Sequence, residues 1–265
     1  MKKKILHIGN TAGVASTLAK FTNKQYEARS WVITRKRWDT FGLTTFGETI
    51  DTRASIFKAK VLMRARTFDL LHVHSFDELI SSLKMLHGKK PLVMHYHGTD
   101  IRGKWREQEK SWKRADLILV STPNLLEGAP RRAIHLPNPI DFDFFYSRGK
   151  NQPNTAFHIS YNRDSQALAL AKQFGLTLTI HDRNKNPIPY SQFPEVLSNY
   201  EYYIDVKGIP NYDEKMISKT AIEALACGCK VIREGGEVIQ EFPKEYNPFD
   251  VVKKLWKLYQ LLLRR

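Results

Sequence analysis

The stretch SKTAIEALACGCKVI, Ser218 to Ile232, sets a single carboxylate, Glu223, among small residues that end at Gly228 and run into an apolar strand. Read as a helix, it puts Lys219, Thr220, Glu223 and Cys227 on one face, with Ser218 as N-cap and first-turn amides that favour an anion. A carboxylate one turn further in can accept hydrogen bonds from a pair of hydroxyls. The plainer alternative is a Lys219–Glu223 surface ion pair, worth a few tenths of a kcal/mol. In HISYNRDSQ, Arg163 follows a strand, where a guanidinium can clamp an anion or pair with Asp164 or Asp182. Histidines crowd two strand ends, His72 and His74 in LLHVHS and His95 and His97 in VMHYHGTDIR. His97 stands out, because it shares a Gly98-containing loop with Asp100 and Arg102. These histidines lack carboxylate or cysteine partners at metal-ligand spacing, so no metal site is assigned. In HIGNTAGVAS, Gly9 and Gly13 can bring backbone amides to a phosphate or merely make a tight turn.

The elements that must position these groups alternate between strand and helix. KKILHIG, SWVIT, DLLHVHS, PLVMHYHG and DLILVST are short apolar strands, separated by helical patterns at SIFKAKVLMRARTF, FDELISSLKML and WREQEKSWKRA. Continuous rather than alternating apolarity predicts a parallel sheet covered on both faces. LPNPIDFDFFYSRGKNQPN, with Pro137, Pro139, Gly149 and Pro153, reads as an interdomain connection. Strands and helices then resume through FHISY, SQALALAKQF, LTLTIHD, FPEVLSN, YYIDV and CKVI. The predicted domains are residues 1–146, 147–247 and a C-terminal helix at 248–265, capped by Asp250, that packs back on the first lobe. Ligands of such sheets bind beyond the carboxyl ends of the strands, where the candidate residues fall.

Composition narrows the partners. The 265 residues are 42% hydrophobic, enough for real cores, and no apolar run reaches the length of a membrane span. The basic start MKKKILHIGN lacks a signal-peptide core, which predicts a cytoplasmic protein. Cys227 and Cys229 flank one glycine and read as reduced and structural. The charge of +15 is uneven: residues 1–150 hold 27 Lys+Arg against 14 Asp+Glu. The first half therefore expects an anionic partner. Nucleic acid is not expected, for want of a helix-turn-helix, RNP or zinc pattern. A dinucleotide fingerprint is also missing, because the glycine spacing is wrong and RKRW ends the second strand where an acid belongs.

Taken together, NTAGVASTLA, FDLLHVHS, HYHGTDIR, LPNPIDFDFF and SKTAIEALACGCKVI resemble, in order, the motifs of GT-B glycosyltransferases of the family 4 type. The resemblance covers most of residues 4–240. It implies an α/β fold of two Rossmann-like lobes of the GT-B type with a cleft between them and a C-terminal closing helix. The implied reaction is a retaining, metal-independent transfer from a nucleotide-sugar donor, without cofactor, to an acceptor on the first lobe. Gly13 would give a backbone donor to the diphosphate and Arg163 its positive clamp. Glu223 would hold the ribose hydroxyls, with Glu214, Ser218, Lys219 and Thr220 as further donor contacts. His97 would touch the transferred sugar, with His74, Asp100 and Arg102 nearby. The basic first half, with SIFKAKVLMRARTF and with GKWREQEKSWKRA and its Trp105 and Trp112, predicts an anionic membrane surface and an acceptor that is lipid-linked or a cell-envelope glycan, the alternative for each stretch being a solvated outer helix. Where the family carries a second glutamate, eight positions before Glu223, this chain has Lys215, and leucine replaces a lysine at 168. These departures motivate the alternative, a nucleotide-sugar-binding protein of the same fold without turnover.

Overall fold

The computed structural model describes residues 2–160, 162–207 and 216–264. Glu214 and Lys215 lie outside them. The chain forms two compact units, residues 1–139 with 247–265 and residues 140–246.

The first unit opens with β1 (Lys3–Ile8), α1 (Val14–Gln25), β2 (Ala28–Arg35) and β3 (Glu48–Ile50). It continues through α2 (Ala54–Ala65), β4 (Leu70–His74), α3 (Ile80–His87), β5 (Leu92–Tyr96), α4 (Glu109–Trp112), β6 (Leu117–Val120) and β7 (Ala133–His135). Its seven strands run parallel in the order β3-β2-β1-β4-β5-β6-β7, a doubly wound sheet. The second unit holds β8 (Gln152–Ile159), α5 (Asp164–Gln173), β9 (Thr177–His181), α6 (Phe193–Leu197), β10 (Tyr200–Asp205), α7 (Lys219–Ala226), β11 (Lys230–Arg233) and β12 (Val238–Ile239). Its order is β12-β11-β10-β8-β9, with only β12 antiparallel. Finally α8 (Pro248–Leu263) belongs to the first unit.

Both faces of the first sheet are covered, which is why its strands are apolar throughout. Leu6, Leu71 and Met94 pack under α2 and α3. Ile5, Leu70 and Val93 pack under α1 and α8, whose Val251, Leu255, Tyr259 and Leu262 are buried. Two residues further along β1, β4 and β5, the same face carries His7, His72 and His95, all fully buried. The α1/α8 face thus changes from aliphatic to imidazole toward the carboxyl ends of the strands.

Three predictions need correcting. The first break falls at Pro139 rather than 146, because Ile140 donates its N–H to the Tyr246 carbonyl and, with Phe145, is buried in the second unit's core. Asn247, not Asp250, caps α8 by accepting from the Phe249 amide, with Pro248 in the first turn. WREQEKSWKRA is helical only over α4, and its aromatic residues turn inward: Trp105 is 6% exposed and donates Nε1–H to the Leu125 carbonyl, while Trp112 donates to the Trp105 carbonyl. Trp105 is a core group and cannot anchor a lipid surface, and Trp112 packs half-buried against the same core.

Candidate functional sites of the two units

In the first unit the candidate groups gather where β1, β4 and β5 end. Gly9 has φ +84°, and a Cβ there would meet the Phe76 ring at 2.5 Å and the His74 carbonyl at 2.7 Å, so only glycine lets β1 turn. Asn10 then clamps the start of α1: its Oδ1 accepts the Ser16 amide at 3.0 Å and its Nδ2 donates to Ser16 Oγ and Thr44 Oγ1. The Gly13 N–H is taken by the Asn10 carbonyl at 3.2 Å, so the donor expected for a diphosphate serves the turn instead. Ala12 and Ser75 hold φ of 52° and 61°, strained values for residues with a side chain, of the kind that cluster at functional sites.

A chain of hydroxyls ties these turns to the His97 loop. Thr11 Oγ1 donates to Ser75 Oγ at 2.9 Å, and Ser75 Oγ donates to Asp100 Oδ2 at 2.7 Å. Asp100 also accepts the amides of Gly98 and His97, so its carboxylate organises the loop rather than standing free as an acid. Ser121 Oγ donates to the His97 carbonyl from the neighbouring strand end. Arg102 is anchored through its backbone amide to the Gly98 carbonyl, and its buried Nε–H has no hydrogen-bond partner among the described residues. His97 itself titrates low, at about 4: burial disfavours its charge, against a smaller raising effect of Asp100 and the Asn138 amide. It is therefore neutral at pH 7.

His95 sits 0% exposed, and among the described residues neither of its ring nitrogens has a hydrogen-bond partner. A neutral imidazole must carry one N–H, so a buried donor is left unpaired at a cost of about 1–3 kcal/mol. Replacing it with an apolar side chain of similar size removes that cost. His95→Leu is expected to raise stability by roughly 1–2 kcal/mol in urea denaturation, the reverse of most core substitutions.

The second unit presents its groups at the carboxyl ends of β8 and β10. Arg163 immediately precedes α5, and its guanidinium donates to Gln166 Oε1 at 3.1 Å and Glu234 Oε1 at 3.3 Å. Glu234, rather than Asp164 or Asp182, is its carboxylate partner. The Arg163 side chain is 51% exposed, so the pair contributes about 0–1 kcal/mol and can be exchanged for another anion.

On α7, Ser218 caps the helix as expected: its Oγ accepts the Ala221 amide at 3.1 Å, and its own N–H donates to Asp205 Oδ2 at 2.9 Å. Ser218→Ala is expected to cost about 1 kcal/mol, read as a lower urea midpoint at unchanged slope. Thr220 lies half-buried in the first turn. The Lys219–Glu223 pair forms, but it is a core feature: the side chains are 14% and 5% exposed, and the ammonium contacts Glu223 Oε1 directly. Tyr190 donates its O–H to the same carboxylate oxygen at 2.7 Å, and Lys219 Nζ reaches Tyr190 Oη at 3.1 Å. The rings of Phe145 and Tyr190 flank the ammonium at 5.9 and 5.5 Å. Burial and the neighbouring carboxylate push the Tyr190 phenol up. Gly228, at φ +88°, ends the helix where a Cβ would strike Ser147 Oγ at 2.6 Å. Burial raises the Cys227 thiol to about 12, and both cysteines are free and buried. They are inert core residues.

The structure thus groups His74, His97, Asp100 and Arg102 in the first unit and Ser218, Lys219, Thr220 and Glu223 in the second. It adds His7, Asn10, Ser75, Tyr190 and Asp205. A pocket of about 510 Å³ lies at the opposite, amino-terminal ends of the first sheet's strands. Two of its lysines are structural: Lys84 pairs with Asp116, and Lys90 holds the Ala65, Arg66 and Phe68 carbonyls at and after the end of α2.

No family model and no curated protein matches the chain. Solved structures do. AviGT4, a glycosyltransferase involved in avilamycin A biosynthesis, aligns with a TM-score of 0.65 at 12% identity, over 100% of this chain and 98% of its own. An alpha-glucosyltransferase in complex with UDP and a mismatched DNA 13-mer gives 0.59 at 12% identity, over 86% and 78%. UDP-N-acetylglucosamine 2-epimerase from Rickettsia bellii gives 0.53 at 12% identity, over 100% and 98%. These likenesses carry the fold alone: the chain has the GT-B fold of two Rossmann-like units, which serves glycosyltransferases and UDP-N-acetylglucosamine 2-epimerases alike.

Proposed function

We propose that this protein transfers a sugar from a nucleotide-sugar donor to an acceptor, with retention of configuration and without a metal. The observation that carries the reading is the buried Glu223 carboxylate one turn inside α7, beside the amide end of a helix capped by Ser218. A carboxylate there suits the vicinal hydroxyls of a ribose, while the first-turn amides, Thr220 and Lys219 suit a diphosphate. Arg163, released from its exposed pairing with Glu234, adds a second cation. Charge developing on the leaving diphosphate is then met by these donors and cations, which is electrostatic catalysis. That fold neighbours include proteins named for UDP and UDP-N-acetylglucosamine supports a nucleotide-sugar ligand. In the first unit, Arg102 and His97 would contact the sugar and acceptor, and His74 and Asp100 would hold His97.

The acceptor in this proposal is lipid-linked or a cell-envelope glycan, reached from the cytoplasmic face of a membrane. Among the described residues no helix is long and apolar enough to cross a membrane. With Trp105 and Trp112 turned inward, the surface offered to lipid is the outer side of α2 and α3, where Ile56, Met63, Met85 and Leu86 are 47%, 63%, 78% and 55% exposed. Lys60, Arg66 and Lys89 accompany them. Sedimentation with vesicles of rising anionic lipid content should recover the protein in the pellet in a salt-sensitive way, and binding that is absent at low salt would remove this part of the proposal.

A second reading, nucleotide-sugar binding without turnover, is favoured by the engagement of Glu223 with Lys219 and of Arg163 with Glu234. Incubation with UDP-, GDP- and ADP-sugars separates the readings. Transferase activity releases free nucleoside diphosphate with one of them. Recovery of every donor intact supports binding alone, and a donor isomerised at the sugar with its nucleotide retained indicates epimerisation.

A further inference from the structure

Five of the nine histidines, His7, His72, His74, His95 and His97, stack into one column at the carboxyl ends of β1, β4 and β5. Two sets, His7–His72–His74 and His74–His95–His97, place ring nitrogens within 4.8 Å of one another, a spacing that would admit a cation. Ring orientation decides against that reading. His72–His74 and His95–His97 have centroids 4.2 Å apart and planes only 25° and 32° from parallel. Lone pairs lie in the ring plane, so nearly parallel, overlapping rings send them side by side rather than converging on one ion.

The nitrogens instead meet in pairs. His7 Nδ1 lies 3.1 Å from His74 Nε2, and His74 Nδ1 lies 3.0 Å from His97 Nε2. Each neutral imidazole has one donor and one acceptor, so the three rings form a directed chain: fixing one tautomer fixes all three. Only two directions exist, and the ends choose between them. At the inner end, His7 Nε2 is buried without a hydrogen-bond partner among the described residues. At the outer end, the Asn138 side chain lies beside His97 and favours a proton on it, and among the described residues neither His97 Nδ1 nor Asn138 Oδ1 makes another hydrogen bond, which leaves each the nearest partner open to the other. If the chain runs from His97 inward, His7 buries an unpaired N–H and His97 turns a lone pair toward the Asn138 carbonyl. If it runs from His7 outward, His7 buries only a lone pair, the cheaper defect, and His97 offers Nδ1–H to Asn138 Oδ1.

We infer that His7 and His74 are positioning residues that lock His97 in the Nδ1–H tautomer, with its Nε2 lone pair held by His74 and so withdrawn from proton abstraction. On this inference His97 takes no proton from substrate and stays neutral, its Nε2 held by His74 and its Nδ1–H buried toward Asn138, so it acts on the sugar by contact and position. That role toward substrate rests on the transferase function proposed above, whereas the tautomer does not.

The test is long-range ¹H–¹⁵N correlation spectroscopy at pH 7 on the full chain labelled with ¹⁵N-histidine, with assignment by single His→Gln variants. The expected spectrum shows His7, His74 and His97 each protonated at Nδ1 and bare at Nε2. In His7→Leu, His97 should become a mixture of tautomers. In His7→Asn, whose side-chain amide can still donate to His74 Nε2, the single tautomer should return. Protonation of wild-type His97 at Nε2 overturns the inference, whether or not His7→Leu folds. So does a His97 tautomer indifferent to His7→Leu, and so do resonances displaced by a stoichiometric metal ion found by elemental analysis. Loss of nucleotide release with these spectra intact would count against the transferase reading and leave the tautomer assignment standing.

Discussion

Acidification is expected to unfold the first unit between about pH 5 and pH 4, with uptake of several protons, because of the histidine column. His7, His72, His74 and His95 are each 0% exposed, and burial lowers the affinity of each ring for a proton, to a value of about 3 for His7. Repulsion among the rings adds to the effect at His72, His74 and His95. The sign follows from where protons bind. Above about pH 6.5 these histidines are neutral whether folded or not and stability is independent of them. Below it the unfolded chain takes up protons that the folded column refuses, so stability falls with pH until the folded values are reached. At about 1.4 kcal/mol per pH unit, a ring kept neutral, as His7 is, has cost roughly 2 kcal/mol by pH 5, and three more rings shifted in the same direction bring the loss toward a whole domain's stability. Near-UV circular dichroism against pH, with proton uptake followed in parallel, measures this. His95→Leu removes one titrating ring and one unpaired donor, and should move the midpoint about half a pH unit lower.

The second large effect concerns Lys219. Removing one partner of a buried ion pair leaves an uncompensated charge, so Lys219→Ala is expected to cost about 3–5 kcal/mol. The lower end applies here, because Tyr190 still donates to the stranded Glu223 carboxylate. Adding Glu223→Gln neutralises that carboxylate while keeping an oxygen for Tyr190, so the double variant should recover most of the loss. A coupling energy of about 2 kcal/mol or more between the two sites in urea denaturation would confirm the pair as a structural unit. Additive effects would mean that the ammonium and carboxylate stabilise α7 independently. Alone, Glu223→Gln should weaken nucleotide binding by about 1–3 kcal/mol, since a charge-assisted acceptor becomes a neutral one.

What the sequence could disclose was local. Ser218 as an N-cap, Glu223 one turn inside its helix and the apolar strands are set by neighbours a few residues away, and all are present in the structure. The partners of those residues arrive from elsewhere in the chain: Tyr190 from the turn before α6 and Asp205 from the end of β10. No spacing rule brings residues 190 and 205 to α7. His7 was within reach, because its place at the end of β1 matches His72 on β4 in parallel register, yet a lone histidine in LHIGN gives no sign of that pairing. Trp105 was misread because a basic sequence with two tryptophans describes a lipid-facing helix and a covering loop equally well. Only tertiary packing against Tyr96 and Leu125 distinguishes them. The link at 137–146 hid its true break for a similar reason: its prolines mark the turn, while Ile140 and Phe145 after it already belong to the second core.

The measurement that bears most directly on the proposed function is a thermal-shift titration with UDP, GDP and ADP on the wild type and on Glu223→Gln. A ligand bound only by the folded chain stabilises it by about 2.7 kcal/mol at a hundredfold excess over Kd, which is roughly 5–10 °C in Tm for a protein of this size. The account predicts such a rise for one base over the other two, largely lost in Glu223→Gln. An unchanged Tm with all three diphosphates, or a rise that survives Glu223→Gln undiminished, would contradict it.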